Sequence, residues 1–264
     1  MRVQFRAAKP SVQTREACPG CGLHAWLRPA GLGREEEDQV EALSDHRRPV
    51  KRDHYLIHAG APLDRLYFVN SGSLKSTLPD ADGRLQLIGF SLPGEIVGMG
   101  AIGTGLHPGN TVALEDTSCC SVRYVDLIAL CQDIPALQHH LHSAMSRKIQ
   151  RNYELMLMLG SMHAEERLVN FLFDLAHRHA ARGYSGSQFR LSMTRQDIGS
   201  YLGLKLETVS RLLASLSHDG LLEVDGREIN LKDIEGLKQI GEGVKHCTRA
   251  PRKKKAPANR TERD

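Results

Sequence analysis

The sequence lacks the features that mark a secreted protein, a membrane protein or a familiar class of enzyme. Its first 30 residues contain no apolar stretch of the length that a secretory signal needs, and no other run is long enough to span a bilayer. It has no phosphate-cradling glycine motif, no nucleophile elbow and no HExxH pair. We therefore expect a cytoplasmic protein, and an enzyme is the weaker interpretation.

The composition is that of a globular protein with one unusual end. The 264 residues, 41% hydrophobic and 25% charged, suffice for two domains with a buried core. The net charge is only +4, although residues 249–264 hold seven Lys or Arg against two acids. We expect this basic tail to be disordered and solvated, with a sequence-independent attraction to phosphates as its alternative role. Six cysteines in a reducing compartment indicate free thiols or metal ligands.

The most informative segment is residues 193–213, MTRQDIGSYLGLKLETVSRLL, which predicts two short helices joined by a tight turn. Thr194 is placed to cap the first helix, and Gly203 stands where the chain must turn. In the second helix, Val209 and Leu213 fall on the buried side. This pattern indicates a helix-turn-helix, and the alternative is an ordinary helical hairpin on a surface.

The outward side of the second helix carries Glu207, Ser210 and Arg211. Such side chains suit base edges in a major groove, because arginine bonds bidentately to guanine, glutamate accepts from cytosine N4 and serine bonds either way. Thr194 and Arg195, at the start of the first helix, are further predicted DNA contacts. The segment therefore predicts a sequence-specific DNA-binding protein.

The rest of the chain divides into segments with different patterns of apolar and turn-forming residues. Residues 33–46 predict a short helix, and short apolar runs alternate with turn signals over 51–125, which indicates an antiparallel sandwich or barrel. Residues 135–159 and 164–178 predict helices, and 221–231 predict the hairpin of a winged domain. The resulting division is an N-terminal segment (1–34), a β domain (35–134), a long helix (135–160), a DNA-binding domain (161–240) and a tail (241–264).

Residues along the predicted long helix recur at alternating steps of three and four, which is the pattern of a dimer seam. Asn152 is a polar position in this seam, suited to setting its register. The alternative is a single amphipathic helix packed on its own domain. The seam residues are Met145, Ile149, Asn152, Met156 and Leu159.

Several short stretches are characteristic of one family: GEIVG at 94–98, AEER at 164–167, FRLSMTR at 189–195, GSYLG at 199–203 and ETVSR at 207–211. With the order of segments, they resemble the superfamily of the catabolite activator and the fumarate–nitrate reductase regulator, and its oxygen-responsive branch in particular. The resemblance implies an α+β fold with a cyclic-nucleotide-binding-like β-roll, a dimerisation helix and a winged helix-turn-helix. It also implies a homodimer that binds TTGAT-like palindromes in double-stranded DNA and contacts RNA polymerase through loops at 80–83 and 105–110.

The resemblance bears on what such a regulator senses. Cyclic-nucleotide-binding relatives hold the phosphate with an Arg-Ser pair, but residues 105–111 contain no arginine, so cyclic AMP is not expected. The oxygen-responsive branch holds a [4Fe–4S] cluster with four cysteines. The matching positions are Cys18, Cys21, Leu27 and Cys120, and leucine cannot ligate iron.

Three interpretations of this altered ligand set stay open. In the first, which is our hypothesis, a cluster forms with a substitute ligand, His24, Cys119 or an external group. In the second, Cys18 and Cys21 act as a redox dithiol. In the third, sensing has been lost. A sensor of haem or nitric oxide would keep the DNA-binding function, and its candidate residues are His54, His58 and His107.

The resemblance also assigns a role to an acidic residue on the long helix, for which the match is Glu154. In the family, this carboxylate helps to keep monomers apart in air. Two such charges close together across a symmetric seam repel each other, and cluster assembly would offset that repulsion. Replacing Glu154 with alanine is therefore expected to favour dimers in air.

Overall fold

The computed structural model describes residues 21–243 of the chain. Predictions that concern Cys18, Cys247 and the basic tail lie outside these described residues. The first part consists of α1 (Gly22–Leu27), α2 (Arg34–Ala42), β1 (Ser44–Val50), β2 (Tyr55–Ile57), β3 (Arg65–Ser71), β4 (Leu74–Pro79), β5 (Leu85–Ser91), β6 (Ile96–Val97), β7 (Asn110–Ala113) and β8 (Thr117–Arg123). The second part consists of α3 (Tyr124–Asp133), α4 (Pro135–Ser161), α5 (Ala164–Ala180), β9 (Gln188–Arg190), α6 (Arg195–Leu202), α7 (Leu206–His218), β10 (Leu222–Asp225), β11 (Glu228–Leu231) and α8 (Ile234–Gly241).

Eight strands form a β-roll of two antiparallel sheets, with strand orders β1-β8-β3-β6 and β2-β7-β4-β5. Side chains from both sheets, among them Val69, Leu74 and Cys119, form the core between them. Because successive residues of a strand point to opposite faces, Cys120 lies on the outer face of the first sheet. There it packs in a second core with α1, α3 and the first part of α4.

The first described residues, 21–30, form more regular structure than the polar sequence around them suggests. Leu23 and Leu27 of α1 are fully buried, and Trp26 packs between Phe68 and His140, with ring centroids 5.0 and 4.5 Å away. The helix predicted over 33–46 ends earlier, at Ala42, because the following residues pair with β8 as strand β1. Helix α1 is therefore part of the core that contains Cys120.

The C-terminal region is a winged helix-turn-helix. Strands β9, β10 and β11 form a three-stranded antiparallel sheet, and helices α5 to α8 surround a shared core. Leu87 and Phe90 of β5 belong to that same core, so the β-roll and the C-terminal region pack directly against each other. The predicted α+β architecture of β-roll, long helix and winged helix-turn-helix is confirmed. No helix within residues 21–243 has the length and hydrophobicity needed to cross a membrane.

A buried ion cluster strengthens this junction. Glu95, in the turn between β5 and β6, accepts two hydrogen bonds from Arg178 (3.0 and 2.9 Å), one from Arg182 (2.9 Å) and one from Arg151 (3.2 Å). Burial alone would raise the pKa of Glu95, but the three guanidinium groups lower it to about 2. One carboxylate thus joins the β-roll to both α4 and α5.

Candidate DNA-binding surface and cysteine site

The helix-turn-helix is fixed by local hydrogen bonds that the sequence predicts well. Thr194 Oγ1 accepts from the Asp197 amide at 3.1 Å, and the Asp197 carboxylate accepts from the Thr194 amide at 3.0 Å, which is a capping box. Gly203 ends α6 with a φ of 65°, in the left-handed region. At Gly199, a Cβ atom would lie 2.6 Å from the Leu204 carbonyl oxygen, so the turn requires glycine there.

Helix α7 presents the three predicted base-reading side chains to solvent. Val209 and Leu213 are buried on its inner side. Glu207, Ser210 and Arg211 are exposed, and their spacing places them within about 100° of arc on the helix. The structure therefore brings together one carboxylate, one hydroxyl and one guanidinium on a single accessible face.

The other two predicted DNA contacts are held within the fold. The Thr194 hydroxyl takes part in the capping box, and Arg195 Nη2 donates to the Gly226 carbonyl at 3.0 Å, in the turn between β10 and β11. Asp197 also accepts a 2.7 Å hydrogen bond from Lys75 of β4. These contacts fix the start of α6 relative to the wing and to the β-roll.

Arg167, the last residue of the AEER motif, is a positioning residue. Its guanidinium donates to the carbonyls of Met162 (2.9 Å), Leu202 (3.1 Å) and Leu159 (3.0 Å). These carbonyls lie at the ends of α4 and α6, where the helix leaves acceptors without intrahelical partners. Arg167 thereby joins the long helix to the helix-turn-helix.

Two of the predicted ligand cysteines come together at the β-roll. Cys21 precedes α1, Cys120 lies on β8, and both are buried. Their thiols are within hydrogen-bond contact, which lowers the pKa of Cys21 to about 6 even though burial acts in the opposite direction. Gly22 permits this approach, because a Cβ atom there would overlap the Val69 carbonyl.

The other candidates for the cluster ligands do not join this pair. Leu27 is fully buried in the core, and Cys119 packs on the opposite face of β8. His24 Nδ1 lies 3.1 Å from a Glu41 carboxylate oxygen. Between residues 21 and 243, no group of three or more His, Cys, Asp or Glu side chains could hold a metal ion. The described residues thus provide two thiols and do not fit a four-ligand cluster site.

The histidines considered for haem or nitric oxide differ in their surroundings. His107 is buried, and burial lowers its pKa. His54 and His58 are exposed, and the His58 ring stacks on Tyr55 with centroids 4.4 Å apart. Exposed imidazoles of this kind give no indication of an enclosed haem pocket.

Helix α4 carries an exposed apolar stripe, which we define as Ile149, Tyr153, Met156 and Leu157. Their exposed fractions are 48, 65, 69 and 61%. The exposed Asn152 adjoins the stripe, and Met145 and Leu159 are half-buried. Glu154 is exposed as well: at about 100° per residue, it lies about 140° around the helix from Ile149 and about 60° from Leu157, at the edge of the stripe. Asn152 and Glu154 also line a cavity against β5, α5 and α6.

Comparisons with known proteins agree with this architecture. A cyclic nucleotide-binding domain model matches residues 47–133, and a Crp-like helix-turn-helix domain model matches 166–240. The transcriptional regulatory protein btr of Bordetella pertussis is 41% identical over 223 residues, which cover 84% of this chain and 92% of that protein. The fumarate and nitrate reduction regulatory protein of Escherichia coli K12 is 37% identical over 84% of this chain and 89% of its own length.

Among solved structures, FixK2 from Bradyrhizobium japonicum aligns with a TM-score of 0.67 and 30% identity, covering 74% of this chain and 96% of that one. A β-roll followed by a long helix and a winged helix-turn-helix defines a class of DNA-binding transcriptional regulators. Within that class, the chain belongs to the Crp/FNR family.

Proposed function

We propose that this regulator is a homodimer that reads a TTGAT-like palindrome and responds to oxygen or redox state. The observation that carries the proposal is the exposed face of α7, on which Glu207, Ser210 and Arg211 stand side by side. A symmetric dimer presents two such faces, which is the arrangement that a palindromic site requires. The exposed parts of the loops at 80–83 and 105–110 are the proposed contacts with RNA polymerase.

DNA recognition can be tested by measuring binding to a labelled TTGAT palindrome and to copies with single base changes. Arg211→Ala is expected to lose about 1–3 kcal/mol of discrimination at one guanine, because the bidentate contact is removed. His218→Ala, at the exposed far end of α7, is the matched control and should bind as the wild type does. Equal loss in both variants would contradict the assignment of Arg211 to base reading.

The proposed dimer contact is the apolar stripe of α4. Several large apolar side chains exposed along one helix face are typical of an interaction surface, and a second copy of α4 supplies a matching stripe. Asn152 and Glu154 adjoin this stripe on its two sides, and the two Glu154 carboxylates of a symmetric dimer would repel each other.

Sedimentation of two variants tests this dimer. Asn152→Asp introduces a carboxylate beside the stripe. Because both protomers carry it, the two new charges should repel each other and weaken the dimer. Glu154→Ala, which removes the carboxylate on the other side of the stripe, should favour dimers in air. If Asn152→Asp and Glu154→Ala both sediment as the wild type does, the stripe is not the dimer seam.

The proposed redox input is the contact between Cys21 and Cys120. A [4Fe–4S] cluster at this place would use these two thiols, Cys18 and a fourth ligand from outside residues 21–243, and would supply oxygen-sensitive iron chemistry. The specific observation that favours thiol chemistry instead is the complete burial of Leu27, which fills the third ligand position with hydrocarbon. In both cases the signal depends on Cys120.

The test compares DNA binding with and without oxygen for Cys120→Ser and Cys119→Ser. These cysteines are neighbours and equally buried, but Cys120 contacts Cys21, whereas Cys119 packs in the core between the two sheets. We expect Cys120→Ser to abolish the response to oxygen and Cys119→Ser to retain it. Iron and acid-labile sulfide, measured after anaerobic purification, distinguish a cluster from free thiols. A response that survives in Cys120→Ser would refute this assignment.

A further inference from the structure

A small cavity lies where the β-roll, helix α4 and the DNA-binding region meet. Its volume is about 40 Å³, which is room for roughly three water molecules. Strand β5 contributes the backbone around Gly89, α4 contributes Lys148 and Arg151, and α5 and α6 contribute Asp174 and Tyr201. The site is therefore built by three parts of the chain that are distant in sequence.

Three hydrogen-bond donors at this cavity have no acceptor within hydrogen-bonding distance among the described residues, although carboxylates also line it. In the described part of the chain, the Lys148 ammonium makes no hydrogen bond or ion pair. Arg151 Nε is buried and has no hydrogen-bond partner, although Nη1 of the same side chain binds Glu95. The Tyr201 hydroxyl makes no hydrogen bond with any described residue, and burial raises its pKa to about 12, so it keeps its proton.

The missing partner must be an acceptor. Lysine and arginine N–H groups can only donate, and a buried donor without a partner is costly. Burial, together with the neighbouring Arg151 cation, lowers the pKa of Lys148. An anion beside the ammonium would favour its charged form and so raise this pKa again.

The charges around the cavity are also not balanced, and one negative ion would balance them. Four cations and three carboxylates lie in or directly behind it, which gives a net charge of +1. They are Lys148, Arg151, Arg178 and Arg182 against Glu95, Asp174 and Glu154. A monovalent anion would bring this group to neutrality.

The backbone at Gly89 accommodates the lysine. A Cβ atom on this residue would lie 3.1 Å from the Lys148 Nζ, which is closer than ordinary contact. Glycine therefore lets the ammonium rest over strand β5. The cavity is also much smaller than the several hundred Å³ that ligands of drug size occupy, so a nucleotide does not fit.

We propose that this cavity binds a small monovalent oxyanion, a carboxylate or an inorganic ion, through Lys148, Arg151 and Tyr201. Because these ligands belong to α4 and α6 and the floor belongs to β5, the bound anion links the β-roll to the DNA-binding region. The site does not involve the cysteines or the base-reading face of α7, so it is independent of the function proposed above.

Titration of the full-length protein with formate and with nitrate tests the proposal. Binding is followed by calorimetry and by the midpoint of thermal unfolding, with ionic strength held constant by gluconate, which is too large for the cavity. We expect saturable binding of one anion per chain. Tighter binding of formate identifies a carboxylate site, and tighter binding of nitrate identifies a site for inorganic anions.

Matched variants connect the binding to the cavity. Lys148→Met should weaken it at least tenfold, whereas Arg147→Met, at the exposed neighbouring position, should leave it unchanged. Gly89→Ala should also weaken binding, because it crowds the ammonium without altering any charge. The proposal is overturned if the wild type shows no saturable binding up to 100 mM, or if Lys148→Met and Arg147→Met respond alike.

Discussion

Replacing Glu95 with glutamine should destabilise the junction between the β-roll and the DNA-binding region. The wild-type carboxylate is contacted by Arg151, Arg178 and Arg182, and only 15% of its side chain is exposed. Glutamine has the same shape but no charge, so it leaves these three guanidinium groups without their common counter-ion. Breaking a buried ion pair in this way costs about 3–5 kcal/mol.

The pKa of Glu95 gives a second route to the same magnitude. An ordinary value of 4.5 falls to about 2 in the folded protein, which corresponds to about 3 kcal/mol of stability at neutral pH. Because the folded pKa is the lower one, this stabilisation is fully present above about pH 4.5 and is lost as the pH falls towards 2. Both routes therefore predict a loss of about 3 kcal/mol in Glu95→Gln at pH 7.

Urea denaturation followed by circular dichroism at several pH values measures this effect. The wild type and Glu95→Gln should differ by about 3 kcal/mol in unfolding free energy at pH 7, and most of that difference should be gone near pH 2. Asp80→Asn, which removes an exposed carboxylate bound to Arg84, is the control. The reasoning fails if the two variants lose equal stability, or if the difference between the wild type and Glu95→Gln is independent of pH.

Three other substitutions test the packing that supports the proposed sites. Leu27→Ala should lower the unfolding free energy by about 2–5 kcal/mol, because it opens a cavity in a full core; a loss below 1 kcal/mol in denaturation would contradict that packing. Arg167→Lys should destabilise the protein and weaken DNA binding, because one ammonium cannot reach three carbonyls, and wild-type values in both assays would count against this. Gly199→Ala should cost about 1–3 kcal/mol through its clash with the Leu204 carbonyl, whereas Gly160→Ala, with open space around it, should be neutral or stabilising by thermal unfolding.

The parts of the fold that follow from local sequence were predictable. Helix α7 was recognised because its buried and polar residues recur with helical spacing, and α6 because Thr194 and Gly203 mark its ends. Helix α1 was missed because its six residues are too few to show a helical period, and its stability comes from contacts with the β-roll. The first three residues of strand β1 were read as the end of a helix, because the partner that makes them a strand, β8, is about 70 residues away in sequence.

The functional sites, too, were predictable only where the residues that form them are marked by local sequence or by the family resemblance. Helical spacing alone predicted the exposed face of α7. The family resemblance predicted that Cys21 and Cys120 lie close together. The Glu95 cluster was not predicted, because its arginines are 56 to 87 residues further along the chain and nothing local marks them as partners.

Trp26 gives this regulator a built-in optical probe. It is the only tryptophan in the chain, it lies five residues after Cys21, and its ring touches both Phe68 of the β-roll and His140 of α4. Burial keeps the pKa of His140 low, so the ring beside the indole stays uncharged at neutral pH. Any chemical event at the cysteines that shifts α1 must change the surroundings of this one fluorophore, so emission from the unlabelled protein can report the signal in real time.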